Sequence, residues 1–569
     1  MLSKVLVLFL VGVVACGRHP EAPSGRNTAA INTAELSSDF WYNEAKAAIE
    51  KRFQRQRDPD QNVARNLIMF LGDGMSIPTL AAARTFKGQN AGKTGEEDEL
   101  FFESFPGVGL AKTYCVNQQI PDSACTATAY LCGVKNNYGT TGVTAAVSRR
   151  DCEASLIEAN RLQSIADWAL AAGKDVGIVT TTRITHASPS GTYAKTANRG
   201  WENNAEVIAD NQDPEKCIDI AQQLVHSHPG NKFKVILGGG RREFIPNTIR
   251  DEEGTRGRRS DDRNLIEEWQ QDKVDRNLSY AYVWNREELR NLSDSLPEYL
   301  LGLFEGSHLP YHLEGDPILE PTLEELTEVA IRILSRNEKG FFLFVEGGRI
   351  DHAHHDNYVH LALDETLEFE KAVQKAAGLL PEDDSLIVVT ADHAHVMTFN
   401  GYSARGTSVV GLSDQADNNR MPYMTISYTN GPGARKQVNG IRDDIRQDSN
   451  FGQWRWRAHA EAPLGSETHG GDDVAVFARG PHYRLFAGLY EQSQIPHVMA
   501  YVGCIGPGLH APGCYAENAE NDENDGSTDG DESSDNAGSG ASPVNITGLL
   551  PLFVTIINFI SLTIFYRQD

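Results

Sequence analysis

At 569 residues, 40% hydrophobic and 8% aromatic, the chain can form one large α/β domain with insertions, or two or three ordinary domains. Its formal net charge of −26 excludes nucleic acid and anionic lipid as principal partners, since the global field repels both. An anionic substrate has to be drawn in by local cations or bound metals.

Lys4 followed by the apolar run Val5–Ala15 and small residues to Gly17 reads as a secretory signal peptide over 1–17, too short to span a membrane. Residues 18–35 are a loose, low-complexity start. Ser38–Arg55 is predicted as a helix, with Phe40, Trp41, Ala45, Ala48 and Ile49 supplying its apolar stripe. A pattern then repeats. Asn66–Leu71 (NLIMFL) runs into GDGMS, Val176–Val179 into TTTRITHASPSG, Val235–Leu237 into GGGRRE, Phe341–Val345 (FFLFV) into EGGRIDHAHHD, and Leu386–Val389 into TADHAH. Short unbroken apolar runs are buried on both faces, as parallel strands are. Amphipathic stretches lie between them, Leu156–Ala172 with Gly173 beyond its end, and Leu363–Ala377. The predicted fold class is therefore α/β, with a mostly parallel central sheet and helices on both faces. Ligands gather at the carboxyl ends of such strands, which is where the acids and histidines of this chain concentrate.

Residues 401–467 break the pattern with turns and charges, and read as a small inserted domain before the strand-like Val474–Phe477. The acidic stretch within 515–542 carries no Lys or Arg and is expected to be a disordered spacer. The apolar tail in 543–569, behind small residues at Asn536-Ala537-Gly538, fits a glycosylphosphatidylinositol (GPI) attachment signal, with Asn536 as the expected attachment residue. An ordinary membrane span is the alternative reading of that tail. Cysteines in a secreted chain suggest disulfides. Cys504 can pair with Cys514, Cys152 with Cys217, and Cys115 with Cys125, leaving Cys132 free; spacing alone does not fix this connectivity. Asn277-Leu-Ser and Asn291-Leu-Ser are glycosylation sequons expected on the surface.

Several separated segments deliver the chemistry. Ser123, in PDSACTATAYL, stands where an irregular run gives way to a helix start, a natural holder of phosphate. Asp351 and His355, four apart, share one helical face and can grip one ion, with His469 as a third ligand and an open position left over. Asp392 and His393 suit a second zinc, joined by Asp73. Ser188 and Glu346, oxygen donors, suit magnesium with Asp73 bridging. Arg199 can fork onto phosphate oxygens. A single buried Asp or His is more often ion-paired or capping than metal-bound, so the inference rests on the whole set. The parts predict phosphomonoester hydrolysis through a phosphoseryl intermediate.

The segments LGDGM, PDSACTATAYLCGV, TTTRITHASPSGTYA, FFLFVEGGRIDHAHHD, VTADHAHV and ETHGGDDVAVFARGP closely resemble the animal alkaline phosphatases, from about Asp39 to Cys514. The resemblance implies the phosphorylated serine at Ser123 and the phosphate-binding arginine at Arg199. It implies one zinc at Asp351, His355 and His469, and another at Asp73, Ser123, Asp392 and His393. Magnesium would sit at Asp73, Ser188 and Glu346, with His186 near it. Phe304, Glu305 and Glu320 resemble part of a calcium site whose fourth ligand falls near Glu253; Glu320 stands where mammalian members have Asp. Ser76 in place of the usual Gly, and Cys125 beside the nucleophile, are further departures. The family also implies a catalytic domain over 36–400 and 468–503, a crown domain over 401–467, and a GPI-anchored homodimer on the outer face of the plasma membrane. The N-terminal helix and crown would form its interface, with Tyr402 reaching toward the partner's site.

Two rivals remain at this level. One is a phosphodiesterase of the same superfamily, which typically uses threonine; a sulfatase would need a different motif around its converted residue. The other is a cell-surface binding protein that has kept the fold and lost catalysis, which predicts the loss of Ser123 or of a ligand.

Overall fold

Asn66–Gly72 (β1) is buried at all seven positions, which is why its sequence is apolar without alternation. In the computed structural model, which describes residues 62–292, 295–511 and 514, this strand sits near the centre of a ten-stranded sheet. The expected signal peptide, the Ser38–Arg55 helix, the acidic linker and the tail with Asn536 lie outside the described residues. The other strands are Gly107–Lys112 (β2), Asp175–Arg183 (β3), Val235–Gly239 (β4), Tyr280–Val283 (β5), Tyr299–Leu303 (β6), Phe341–Gly347 (β7) and Ser385–Thr390 (β8), with Val474–Arg479 and Gly488–Glu491 closing one side. From that edge the order is Gly488–Glu491, β2, Val474–Arg479, β8, β1, β7, β3, β4, β6, β5. Only Val474–Arg479 runs against its neighbours, so the sheet is mostly parallel, as expected.

Register decides where the chemistry emerges. Leu71 of β1 pairs with Glu346 of β7 on one side and Thr390 of β8 on the other, while Glu346 pairs with Thr180 of β3. β8, β1 and β7 therefore end level beside the longer β3, and Asp73, Glu346, Asp392 and the loop to Ser188 emerge at one rim. The strand expected over Val176–Val179 continues to Arg183 because β-branched Thr180–Thr182 prolong it.

Leu323–Leu334 and Val359–Leu379 pack on each other and on β3 and β7, while Ile165–Ala171, Ser123–Cys132 and Ile495–Val502 form a second helical group. The amphipathic stretch Leu156–Ala172 is not one helix. Helical residues end at Leu156, a 3-10 turn covers Glu158–Asn160, and a new helix starts at Ile165. The cause is a capping box: the Ser164 hydroxyl accepts the Asp167 N–H while Asp167 accepts the Ser164 N–H.

Within 401–467, Ile426–Gly431 pairs with Met397–Phe399 and Ala460–Pro463. This segment is tied to the site through Asn357, two residues beyond His355. Asn357 Oδ1 accepts the Gly433 N–H at 2.8 Å, and its carbonyl accepts the Ala458 N–H. A side chain at Gly433 would collide with the Ala458 carbonyl at 2.0 Å. The Glu467 N–H then reaches the His355 carbonyl at 2.8 Å, which brings His469 back to the sheet rim.

Candidate active site

Asp122 caps the Ser123–Cys132 helix, accepting the Cys125 N–H, so Ser123 is the first helical residue and its hydroxyl faces the positive helix end. Ser123 Oγ lies 3.2 Å from His393 Nε2. Asp122 also accepts from Arg199 Nη1 at 2.9 Å, and Arg199 Nη2 lies 3.2 Å from His186 Nε2. The guanidinium is thus held from two sides beside the serine, at the wall of a cleft of about 530 Å³ that Ser123, Arg199, Asp351, His355 and His469 also line.

The Arg349–His355 helix forms as the spacing predicts. His355 Nδ1 donates to the Glu467 carbonyl at 2.6 Å and His469 Nδ1 to that of Pro121 at 2.8 Å. A carbonyl can only accept, so both Nε2 atoms carry lone pairs in the neutral rings, and they face each other at 3.1 Å. Asp351 Oδ1 lies 3.4 Å from the first and 3.3 Å from the second. The three donor atoms converge as a cation site does.

On the other side of Ser123, His393 Nε2 is 3.0 Å from Asp392 Oδ2 and 3.6 Å from Asp73 Oδ1. Burial lowers His393 to about 4, keeping it neutral and able to bind metal. Ser188 donates to Asp73 Oδ2 at 3.4 Å. Burial, reinforced by Asp392, Asp351 and Glu346, pushes Asp73 well above the usual carboxylate range, and burial lifts Glu346 to about 7. Asp73 Oδ1, Glu346 Oε1 and His393 Nδ1 are buried without a hydrogen-bond partner. Buried carboxylate oxygens left bare cost free energy unless something positive meets them, so this donor set fits divalent cations. Asp73, Ser188 and Glu346, all oxygen donors, fit a hard ion; the histidine-bearing groups fit zinc.

Every residue expected at the two zinc positions and the magnesium position therefore reaches the one rim. Sequence reading missed four that support them. His395 donates from Nε2 to Asp351 at 2.7 Å and from Nδ1 to Glu467 at 2.5 Å. Burial alone would lower its pKa, but those carboxylates raise it to about 10. Held between two carboxylates, the ring steadies Asp351, and its donor atom lies within 4.8 Å of those of Asp351, His355 and His469. Its signal was its place in TADHAH, but its Glu467 partner is 72 residues away. Thr180 and Thr182 direct hydroxyls at Glu346 Oε2, the latter at 2.9 Å.

Residues 64–505 match the family model for alkaline phosphatase. The chain belongs to the alkaline phosphatase family. It is 65% identical over 496 residues to the membrane-bound alkaline phosphatase of Bombyx mori, covering 86% of this chain and 90% of that one. It is 46% identical over 486 residues to the tissue-nonspecific isozyme of Rattus norvegicus, covering 84% and 90%. The fold matches that of the alkaline phosphatase from the Antarctic bacterium TAB5, with a TM-score of 0.53 at 20% identity, covering 78% and 99%. The family makes this chain a phosphomonoester hydrolase.

Glu253, Glu305 and Glu320 bring carboxylate oxygens within 4.8 Å of one another. Burial, with Glu253 and Glu320 beside it, lifts Glu305 to about 7. The Phe304 side chain is buried in the core. Cys115–Cys125, Cys152–Cys217 and Cys504–Cys514 are bonded, and Cys132 is free and buried. Tyr402 is 88% exposed, and Asn277 and Asn291 are exposed. Among the described residues no helix is long and apolar enough to cross a membrane.

Proposed function

We propose that this alkaline phosphatase cleaves phosphate monoesters by transferring the phosphoryl group to Ser123 and then to water. In this reading one zinc is held by Asp351, His355 and His469, a second by Asp73, Ser123, Asp392 and His393, and magnesium by Asp73, Ser188 and Glu346. When bound, such metals supply Lewis acidity, lowering the pKa of a hydroxyl beside them and neutralising charge on phosphoryl oxygens. The observation that carries the reading is the facing pair of His355 and His469 lone pairs, 3.1 Å apart beside Asp351.

The chain's own groups do the rest. Arg199, braced by Asp122 and His186, forks onto two non-bridging oxygens and aligns the phosphorus with Ser123 Oγ. The oxygen attacks in line, the Ser123 Oγ–P bond forms as the ester P–O bond breaks, and the alcohol leaves toward the open cleft with the proton that Ser123 gives up. Water entering from that side then breaks the Oγ–P bond, releasing phosphate and restoring the hydroxyl. The cleft grips chiefly the phosphoryl group, so many leaving groups are accepted. An inactive relative would lack Ser123 or a ligand, and Ser123 and every expected zinc and magnesium ligand are present; a phosphodiesterase would need a pocket for a second ester substituent.

Calcium at Glu253, Phe304, Glu305 and Glu320, a homodimer with Tyr402 near the partner's site, signal-peptide export and a GPI anchor near Asn536 belong to the same proposal. The exposure of Tyr402 supports the dimer. The test is Ser123→Ala with acid quenching. The parent should yield a phosphorylated Ser123 peptide, while the variant keeps its zinc, loses turnover about a thousandfold or more and yields no phosphopeptide. A fully active variant would exclude the covalent route.

A further inference from the structure

Cys115 and Cys125 bracket the nucleophile. Cys125 is the third residue of the Ser123–Cys132 helix, and each of the bonded cysteines is 2% exposed. Residues 116–120 between them are all exposed, so apolar burial does little to fix their path. Yet the far end of this loop carries two contacts on which the site depends. The Pro121 carbonyl accepts His469 Nδ1–H at 2.8 Å, which turns His469 Nε2 toward Asp351. Asp122 holds Arg199 through Oδ2 at 2.9 Å, while its Oδ1 accepts the N–H of Cys125 at 3.3 Å and of Gly139 at 2.9 Å.

We infer that the Cys115–Cys125 disulfide is a positioning element for phosphomonoester hydrolysis, clamping the loop so that Pro121 orients His469 and Asp122 orients Arg199. The other local ties include a backbone bridge between Cys115 and Gln118 and two hydrogen bonds, Val116 N–H to the Asn136 carbonyl and Tyr138 N–H to Asn117 Oδ1, both at 2.9 Å. The Asn117 tie is open to water, which competes for such bonds, whereas a covalent ring does not fray. Groups that orient a ligand, or an arginine aimed at phosphate, must be held to a fraction of an ångström, and shifts of that size cost rate steeply. Both sulfurs are shielded from solvent, so the clamp is permanent rather than a switch. The inference rests on the reading of Ser123 as nucleophile and His469 as ligand.

The molecule contains its own control. Cys504–Cys514 closes a ring of the same sequence separation, 10 residues, at the carboxyl end of the described chain. Opening either ring frees a similar amount of unfolded-chain entropy, so C115A/C125A and C504A/C514A should lower Tm comparably. Well below both melting temperatures, C115A/C125A is expected to lose roughly tenfold or more in kcat/KM and to release zinc to a chelator faster. C504A/C514A should stay close to the parent in both. A C115A/C125A enzyme that matches the control in kcat/KM and zinc release would overturn the inference.

A second measurement needs no cysteine variant. In the metal-free parent, the Cys125 and Gly139 amides, which donate to Asp122 Oδ1, should remain protected from hydrogen exchange, and Asn117→Ala should leave them so. Free exchange there in the oxidised, metal-free parent would mean that the disulfide does not hold the loop. If Ser123→Ala proved fully active, the covalent reading would fall while this exchange result still decided the clamp.

Discussion

The Nε2 atoms of His355 and His469 face each other at 3.1 Å although the Nδ1–H of each ring is already donated to a backbone carbonyl. Two lone pairs at that distance repel, and the arrangement is favourable only with a positive centre between them and Asp351. Metal ligation needs neutral imidazoles, and burial lowers His355 in that direction. Stripping zinc with a chelator should therefore abolish hydrolysis of a chromogenic phosphomonoester, and zinc should restore it. His469→Ala should weaken zinc at this position about a hundredfold or more, read as zinc per chain after dialysis against graded free zinc. Unchanged zinc content in the variant would refute the ligand role.

Arg199 is braced by Asp122 and His186 in a fixed fork, a geometry that a lysine cannot copy. Arg199→Lys keeps the charge and loses the two-point grip. It should raise KM and the inhibition constant for inorganic phosphate by roughly ten- to a hundredfold, the worth of one charge-assisted hydrogen bond. Zinc content should not change. Steady-state kinetics with phosphate as a competitive inhibitor measure both constants.

Glu346 offers one oxygen to the threonine pair and leaves Oε1 bare. The Thr182 hydroxyl at 2.9 Å fixes which oxygen remains for a cation. Thr182→Val should weaken magnesium activation about ten- to a hundredfold while leaving zinc content intact. A titration of activity against free magnesium reports the shift.

The strands and the rim were legible because each signal is local. NLIMFL ending in Gly-Asp, or SLIVVT ending in Ala-Asp-His, shows both the burial and the polar stop within one window. What escaped depends on distant partners. Nothing near His395 in the chain indicates that Glu467 will meet its Nδ1, and nothing near Asp122 indicates that it will brace Arg199, 77 residues on. The Leu156–Ala172 stretch misled because apolar periodicity continues across Ser164, where the capping box with Asp167 restarts the helix. Cysteine spacing admitted several pairings, and only the folded backbone brings Cys115 to Cys125.

Glu365, on the Val359–Leu379 helix, is 5% exposed and accepts the His312 N–H at 2.7 Å. Burial, partly offset by that hydrogen bond, pushes its carboxyl up from 4.5 to about 7. The folded state therefore binds this proton more tightly than the unfolded chain does. Its contribution to stability is full below about pH 4.5 and is lost as pH rises through 7. A shift of that size corresponds to about 3 kcal/mol, to order of magnitude. Glu365→Gln keeps an oxygen for the His312 N–H and removes the ionisation. The variant should match the parent in Tm at pH 5 and exceed it by several degrees at pH 8, in scans at one rate and one metal concentration. An equal Tm difference at the two pH values would show that Glu365 ionises as easily in the folded protein as in water.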